Sequence, residues 1–107
     1  MNDHDLRQLT KMYQQVNSYR DGNIGLSVLL GDLIFLRDVL SETSSEWECE
    51  FNHNVIDLES AYSYALEKNS GKLDLMTTPI VDGAISKLLE LLHSTIGLKT
   101  DTGHSNS

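Results

Sequence analysis

Little in this chain of 107 residues breaks a helix. It holds a single proline, Pro79, and few glycines inside its periodic segments. Strict apolar–polar alternation is scarce as well, so strands have little support and helices have much. There is one cysteine, Cys49, which excludes an internal disulfide and fits a reducing cytoplasm. No apolar run approaches the ~20 residues of a membrane span. The opening "MNDHDLRQL" lacks the apolar core of a secretory signal, so a cytoplasmic location with no membrane segment is expected. Bases are scarce: 8 Lys and Arg stand against 16 Asp and Glu, a formal net charge of −8. Those bases form no patch, and the acidity repels nucleic acid and anionic membranes while attracting basic partners. A chain this short makes one domain.

Four amphipathic segments are present. Leu6, Leu9, Tyr13 and Val16 recur at helical spacing between Asp3 and Arg20, with Asp3 and Asp5 where a helix dipole favours negative charge. "RDGN" ends this segment by turn chemistry. From Leu26 to Ser41, Leu26, Leu29, Leu30, Leu33, Leu36 and Leu40 form a wide inner face. Val28, Phe35 and Val39 fall opposite, so this helix is either central or carries a second buried face. Gly31 weakens its middle by about 1 kcal/mol and is suited to a close helix contact. A third helix begins with a capping box, Ser45 with Glu48. Its core stripe is Trp47, Phe51, Val55, Leu58, Tyr62 and Ala65, and "NSGK" around Gly71 ends it. The fourth starts with Thr78 as N-cap and Pro79 in the first turn, and turns Val81, Ala84, Ile85, Leu88, Leu92 and Ile96 inward. The expected fold is all-α: a small bundle of four antiparallel helices with short loops over residues 1–96, and a flexible, disordered polar tail over 97–107.

Catalytic chemistry finds little support. Glu50 with His53, and Glu90 with His93, have the spacing that builds carboxylate-bridged metal sites in bundles. By phase, however, Glu90 points away from its helix's core stripe and the other pair lies to one flank, so no metal and no cofactor are expected. Cys49 sits among Glu46, Glu48 and Glu50, which disfavour a thiolate. There is no Gly-rich phosphate loop and no Ser or Cys with an identifiable His/Asp partner. A non-enzymatic protein is expected.

The charge itself is unevenly placed. Between Ser41 and Glu67 lie Glu42, Glu46, Glu48, Glu50, Asp57, Glu59 and Glu67 with no Lys or Arg, and Asp38 extends the run backward. On the third helix Glu46, Glu50, His53 and Asp57 fall within roughly 60° of one another, with Tyr64 continuing the line. Ile56 points almost directly away from the core. One explanation is a plainly solvated face. A solvated face usually mixes signs, however, with Glu–Lys pairs one turn apart, whereas Glu46 and Glu50 are a like-charge pair. A basic partner explains that self-repulsion better, with Ile56 and Tyr64 as apolar anchors. The candidate partner-binding residues are Asp38, Glu42, Glu46, Glu50, His53, Ile56, Asp57 and Tyr64.

The order "IGLSVLLGDLIFLRDVL", an acidic linker, Trp47 with "EF" closing on Phe51, then "LESAYSYAL" resembles small helical immunity proteins of bacterial polymorphic toxin systems. These are the antidotes of contact-dependent growth inhibition and related secreted toxins. The resemblance spans roughly Tyr19 to Leu66 and rests on core and helix positions. It implies a cytoplasmic protein that binds one cognate toxin domain in a one-to-one complex and blocks it. Many such toxins are nucleases with basic clefts. The alternative of another class is a homo-oligomeric helical adaptor or regulator that associates through Val28, Phe35 and Val39.

Overall fold

A computed structural model describes the backbone of residues 3–70 and 72–104, and the side chains of these except 69 and 98–104. Four α-helices follow in order: α1 Asp3–Arg20, α2 Leu26–Asp38, α3 Ser45–Asn69 and α4 Thr78–His104. No strand occurs among the described residues. Each helix packs on its sequence neighbours and α1 also packs on α4, while among the described residues the backbones of the diagonal pairs α1/α3 and α2/α4 make no close approach. The four therefore form a closed square, a four-helix bundle.

Cross-links give the direction of each pair. Gln15 of α1 donates to Asp32 of α2 (2.5 Å), and His4 donates to the Val39 carbonyl just past the far end of α2 (2.9 Å). Arg37 of α2 donates to Asn52 of α3 (2.9 Å). The Trp47 indole near the start of α3 donates to Thr95 toward the end of α4 (3.0 Å). Tyr19, late in α1, is half-buried, and burial together with the Asp82 carboxylate early in α4 pushes its phenol above the ordinary 10.0. All four neighbouring pairs run antiparallel.

The core follows the apolar stripes closely. Leu9, Val16, Leu26, Leu29, Leu30, Leu33, Leu36, Trp47, Phe51, Val55, Leu58, Ala65, Val81, Ala84, Ile85, Leu88 and Leu92 are all buried, and Leu6, Tyr13, Leu40, Tyr62 and Ile96 are half-buried. Trp47 stacks on Phe51 with ring centroids 4.9 Å apart. Four buried polar residues lie off those stripes: Thr77 before α4, and Thr95, Asn54 and Asp5. Thr95 is a used hydroxyl, accepting from Trp47 and donating to the Leu91 carbonyl (2.7 Å). Asn54 donates to the Glu50 carbonyl (3.0 Å), but its Oδ1 has no partner. Asp5 is fully buried and joins α1 to the α2–α3 loop. Its carboxylate accepts from the Ser41 amide (2.9 Å), the Ser41 hydroxyl (3.0 Å) and the Glu42 amide (2.8 Å).

That capture explains why α2 stops at Asp38 rather than Ser41. His4 takes the Val39 carbonyl and Asp5 takes the next amides, so the chain leaves the helix to reach them. Tightened bonds from Val39 N to Leu36 O and Leu40 N to Arg37 O close the last turn. Two N-caps shift by one residue. Ser44, not Ser45, caps α3, its hydroxyl accepting from Trp47 N at 3.1 Å. Adjacent serines offer the same group, and Glu48 reaches back to the Thr43 hydroxyl instead (2.6 Å). At α4 the Thr77 carbonyl receives the first helical bond, from Val81 N, so Thr78 is already inside the helix. Ser70 takes the left-handed conformation (φ 53°) that ends α3, a role expected near Gly71, which lies outside the described residues.

The bounds of α4, Thr78–His104, reach into the segment 97–107 expected as a polar tail. Ser105–Ser107 lie outside the described residues. Gly31 makes no close helix contact: it is exposed, and a Cβ there would meet nothing within 4 Å.

Candidate functional site

α3 sets out the acidic row. With Phe51, Val55, Leu58 and Ala65 pinned in the core, the helical period sends Glu46, Glu50, His53, Asp57 and Tyr64 to the flank next to α4. Glu46, Glu50, His53 and Tyr64 are exposed, and Asp57 is half-exposed. His53 Nε2 lies 3.8 Å from Asp57 Oδ2. Ser45, Glu46, Cys49, Glu50 and His53 line a shallow open depression at this end of α3. Ile56 is 57 % exposed and stands on the outward crest beside the row.

The structure separates Asp38 and Glu42 from that row. Asp38 Oδ1 is 3.3 Å from the Arg37 guanidinium, which also holds Asn52 on the α2 side of α3. Counting acids from Asp38 onward begins one residue after the arginine that neutralises it. Glu42 lies in the α2–α3 loop, its amide bound to Asp5. Asp5 itself is a structural carboxylate. Burial raises its pKa, but the Ser41 and Glu42 amides and the Ser41 hydroxyl outweigh this, and the net shift is below 3.8.

Across the α3–α4 cleft, Glu50 faces Lys87, Glu90, Leu91 and Ser94. Lys87 is a cation that inspection of α3 alone does not reveal. No ion pair within 4 Å joins it to Glu50 among the described residues. Glu50 and Glu90 thus meet at one cleft, but their histidines do not: His53 turns toward Asp57, and the His93 ring lies 6.2 Å from that of Tyr13 on α1. Among the described residues no three His, Cys, Asp or Glu side chains are placed to hold a metal ion. No helix among them is long and apolar enough to cross a membrane.

One feature at the far end of the row was missed in the sequence. The α3–α4 loop and the start of α4 form a groove against the second half of α3. Asp57, Ser60, Ala61 and Tyr64 form one wall, and Met76, Thr77 and Ile80 form the other, enclosing about 300 Å³. Leu75, Met76 and Ile80 are 95 %, 73 % and 50 % exposed, large apolar side chains in open water. Asp74 holds this turn. Its Oδ1 accepts from the Met76 amide (2.9 Å), the Thr77 amide (2.9 Å) and the Thr77 hydroxyl (3.0 Å). These bonds, those of Thr77 above all, lower the pKa of Asp74 below 3.8. The signal in the sequence was "LDLMTTPI": apolar residues with neither helical nor strand period, bracketed by turn formers.

On α2, Val28 and Phe35 stand exposed as expected. Val39 drops out of that face, being half-buried and tied into the helix end. No family model, no curated protein and no solved structure matches this chain.

Proposed function

We propose that this protein is a stoichiometric inhibitor, an immunity protein that binds a basic toxin domain, a nuclease among the candidates, and blocks it without chemistry of its own. The observation that carries the reading is the row of Glu46, Glu50 and Asp57, which folding leaves solvent-facing on one flank of α3 with no Lys or Arg in ion-pair contact among the described residues. An unrelieved like-charge row costs stability and speeds capture of a basic surface. Ile56 and Tyr64, exposed beside it, provide apolar contact area that charge alone does not. Asp38 and Glu42 lie off the row and contribute through the general negative field. The resemblance over Tyr19–Leu66 points the same way, and with it a cytoplasmic site of action.

Co-expression with the C-terminal domain encoded immediately upstream in the native locus tests this. Rescue of growth together with a one-to-one complex on purification supports the proposal. Unrelieved toxicity with no complex overturns it.

A second reading, self-association through α2, is favoured by one observation: Val28 and Phe35 are 50 % and 65 % exposed with bare Gly31 between them on the same face. Sedimentation at micromolar concentration separates the two. A monomer at every concentration removes the adaptor reading.

A further inference from the structure

We propose that the groove between the second half of α3 and the start of α4 is an anchor site that takes one bulky apolar side chain of the basic partner, whose adjoining Lys or Arg residues then lie along the acidic row. This deepens the proposed function and rests on it.

Leu75 and Met76 are not exposed by slackness of the chain. The three bonds that Asp74 accepts, and the Thr77 hydroxyl that accepts from the Asp74 amide at 2.8 Å, close the turn from Asp74 to Thr77. Thr77 is itself buried. A locked turn that displays two large apolar side chains loses little conformational entropy when a partner covers them. Leaving such a patch in water is the usual mark of a contact surface.

The size of the groove decides what fits. At about 300 Å³ it sits at the bottom of the roughly 300–1,000 Å³ range of small-molecule sites. Tyr64 on one wall and Met76 and Ile80 on the other supply its large apolar contacts, so a single side chain suits it better than a polar cofactor.

Charge fixes the rest of the occupant. Asp57 belongs to both surfaces: it lines the groove, and it faces His53 at the end of the acidic row. From Asp57 the row continues through Glu50, seven residues or about 10 Å along α3, to Glu46, about 6 Å farther. An apolar anchor seated beside Tyr64 therefore has the carboxylates of the row on the side toward the N-terminus of α3, while on the other side Asp74 is taken up by its own turn and Glu67 is followed by Lys68. The matching ligand is a helix or extended segment with its bulky apolar residue at one end and cations within about 10–20 Å on one side.

The experiment uses the full chain, isotope-labelled, and three helical Ala-based peptides of about 20 residues. The first carries one Trp followed by three Lys at helical spacing. The second has that Trp replaced by Ala. The third has the three Lys replaced by Glu. With the first, amide shifts are expected at Tyr64, Leu75, Met76 and Ile80 and also at Glu46, Glu50 and Asp57. With the second, only the acidic row should move, and binding should weaken about ten- to a hundredfold, the worth of one buried aromatic side chain. The third should not bind. The double variant Leu75→Ser/Met76→Ser, at exposed positions that folding does not need, should make the Trp and Ala peptides equal. If the first peptide moves the acidic row and leaves the groove still, the anchor site is wrong and the acidic reading stands. If no peptide moves either surface, both fail. If the Glu peptide seats its Trp as well as the Lys peptide does, the coupling of groove to row is overturned.

Discussion

Replacing Asp5 should destabilise this protein strongly, although Asp5 is not part of the acidic row. The carboxylate is fully buried and accepts two backbone amides and a hydroxyl from Ser41 and Glu42. A hydrogen bond to a charged group contributes roughly 1.5–3 kcal/mol. Two amides alone then account for about 3–6 kcal/mol, against a total stability on the order of 5–15 kcal/mol. The α2–α3 loop can partly rehydrate once released, which places Asp5→Ala at about 3 kcal/mol. With a urea slope of about 1.5 kcal/mol/M, that is a midpoint shift of about 2 M. Asp5→Asn retains one acceptor oxygen and turns an NH2 toward the other amide, so it should lose nearly as much. The sign of the pH dependence follows from the lowered pKa. The stabilisation is present above the ordinary carboxylate value of 3.8 and is lost as pH falls through the lower folded value. The assay is urea unfolding followed by helical circular dichroism from pH 6 down to about pH 3, wild type against Asp5→Asn. The gap should be full at the upper end and narrow at the lower. A midpoint unchanged at pH 6, or a gap that fails to narrow in acid, refutes the assignment.

Three more outcomes are expected. Trp47→Ala should cost about 3–5 kcal/mol, because it empties a core position and removes the indole N–H that the Thr95 hydroxyl accepts; Trp47→Phe, which keeps the stacking, should cost about 1–2 kcal/mol, both read from urea midpoints. Gly31→Ala should stabilise by about 0.5–1 kcal/mol since nothing lies within 4 Å of the new methyl, whereas Gly22→Ala should destabilise by about 1–2 kcal/mol because φ is +85° there; thermal melts of the pair check both signs. The triple variant Glu46→Lys/Glu50→Lys/Asp57→Lys should keep its melting temperature within a few degrees, since each side chain is at least partly solvated and makes no structural bond to a base.

The periodic parts of the fold were legible in the sequence for a simple reason. Where Leu26, Leu29, Leu33 and Leu36 or Phe51, Val55 and Leu58 repeat at helical spacing, burial and local geometry demand the same thing, and the structure buries them. The helix ends were less legible because long-range contacts decide them. Asp5 draws Ser41 and Glu42 out of α2 across a separation of 36 and 37 residues, and no local pattern announces this. The acidic row was legible as a phase relation within one helix. Its surroundings were not, because they come from other elements: Lys87 across the cleft, Arg37 beside Asp38, and the turn at Asp74–Thr77. The order of packing, invisible in four similar amphipathic stripes, follows only once the neighbours of each helix are known.

The claim that the α3 row captures a basic partner is tested most directly by the association rate with the upstream-encoded toxin domain, followed by stopped flow. With salt raised from about 50 mM to about 500 mM, the rate for the wild-type chain should fall at least about tenfold. The triple Lys variant should associate slowly at low salt and respond little to added salt. Equal rates for the two proteins at low salt, or a wild-type rate indifferent to salt, would contradict the account.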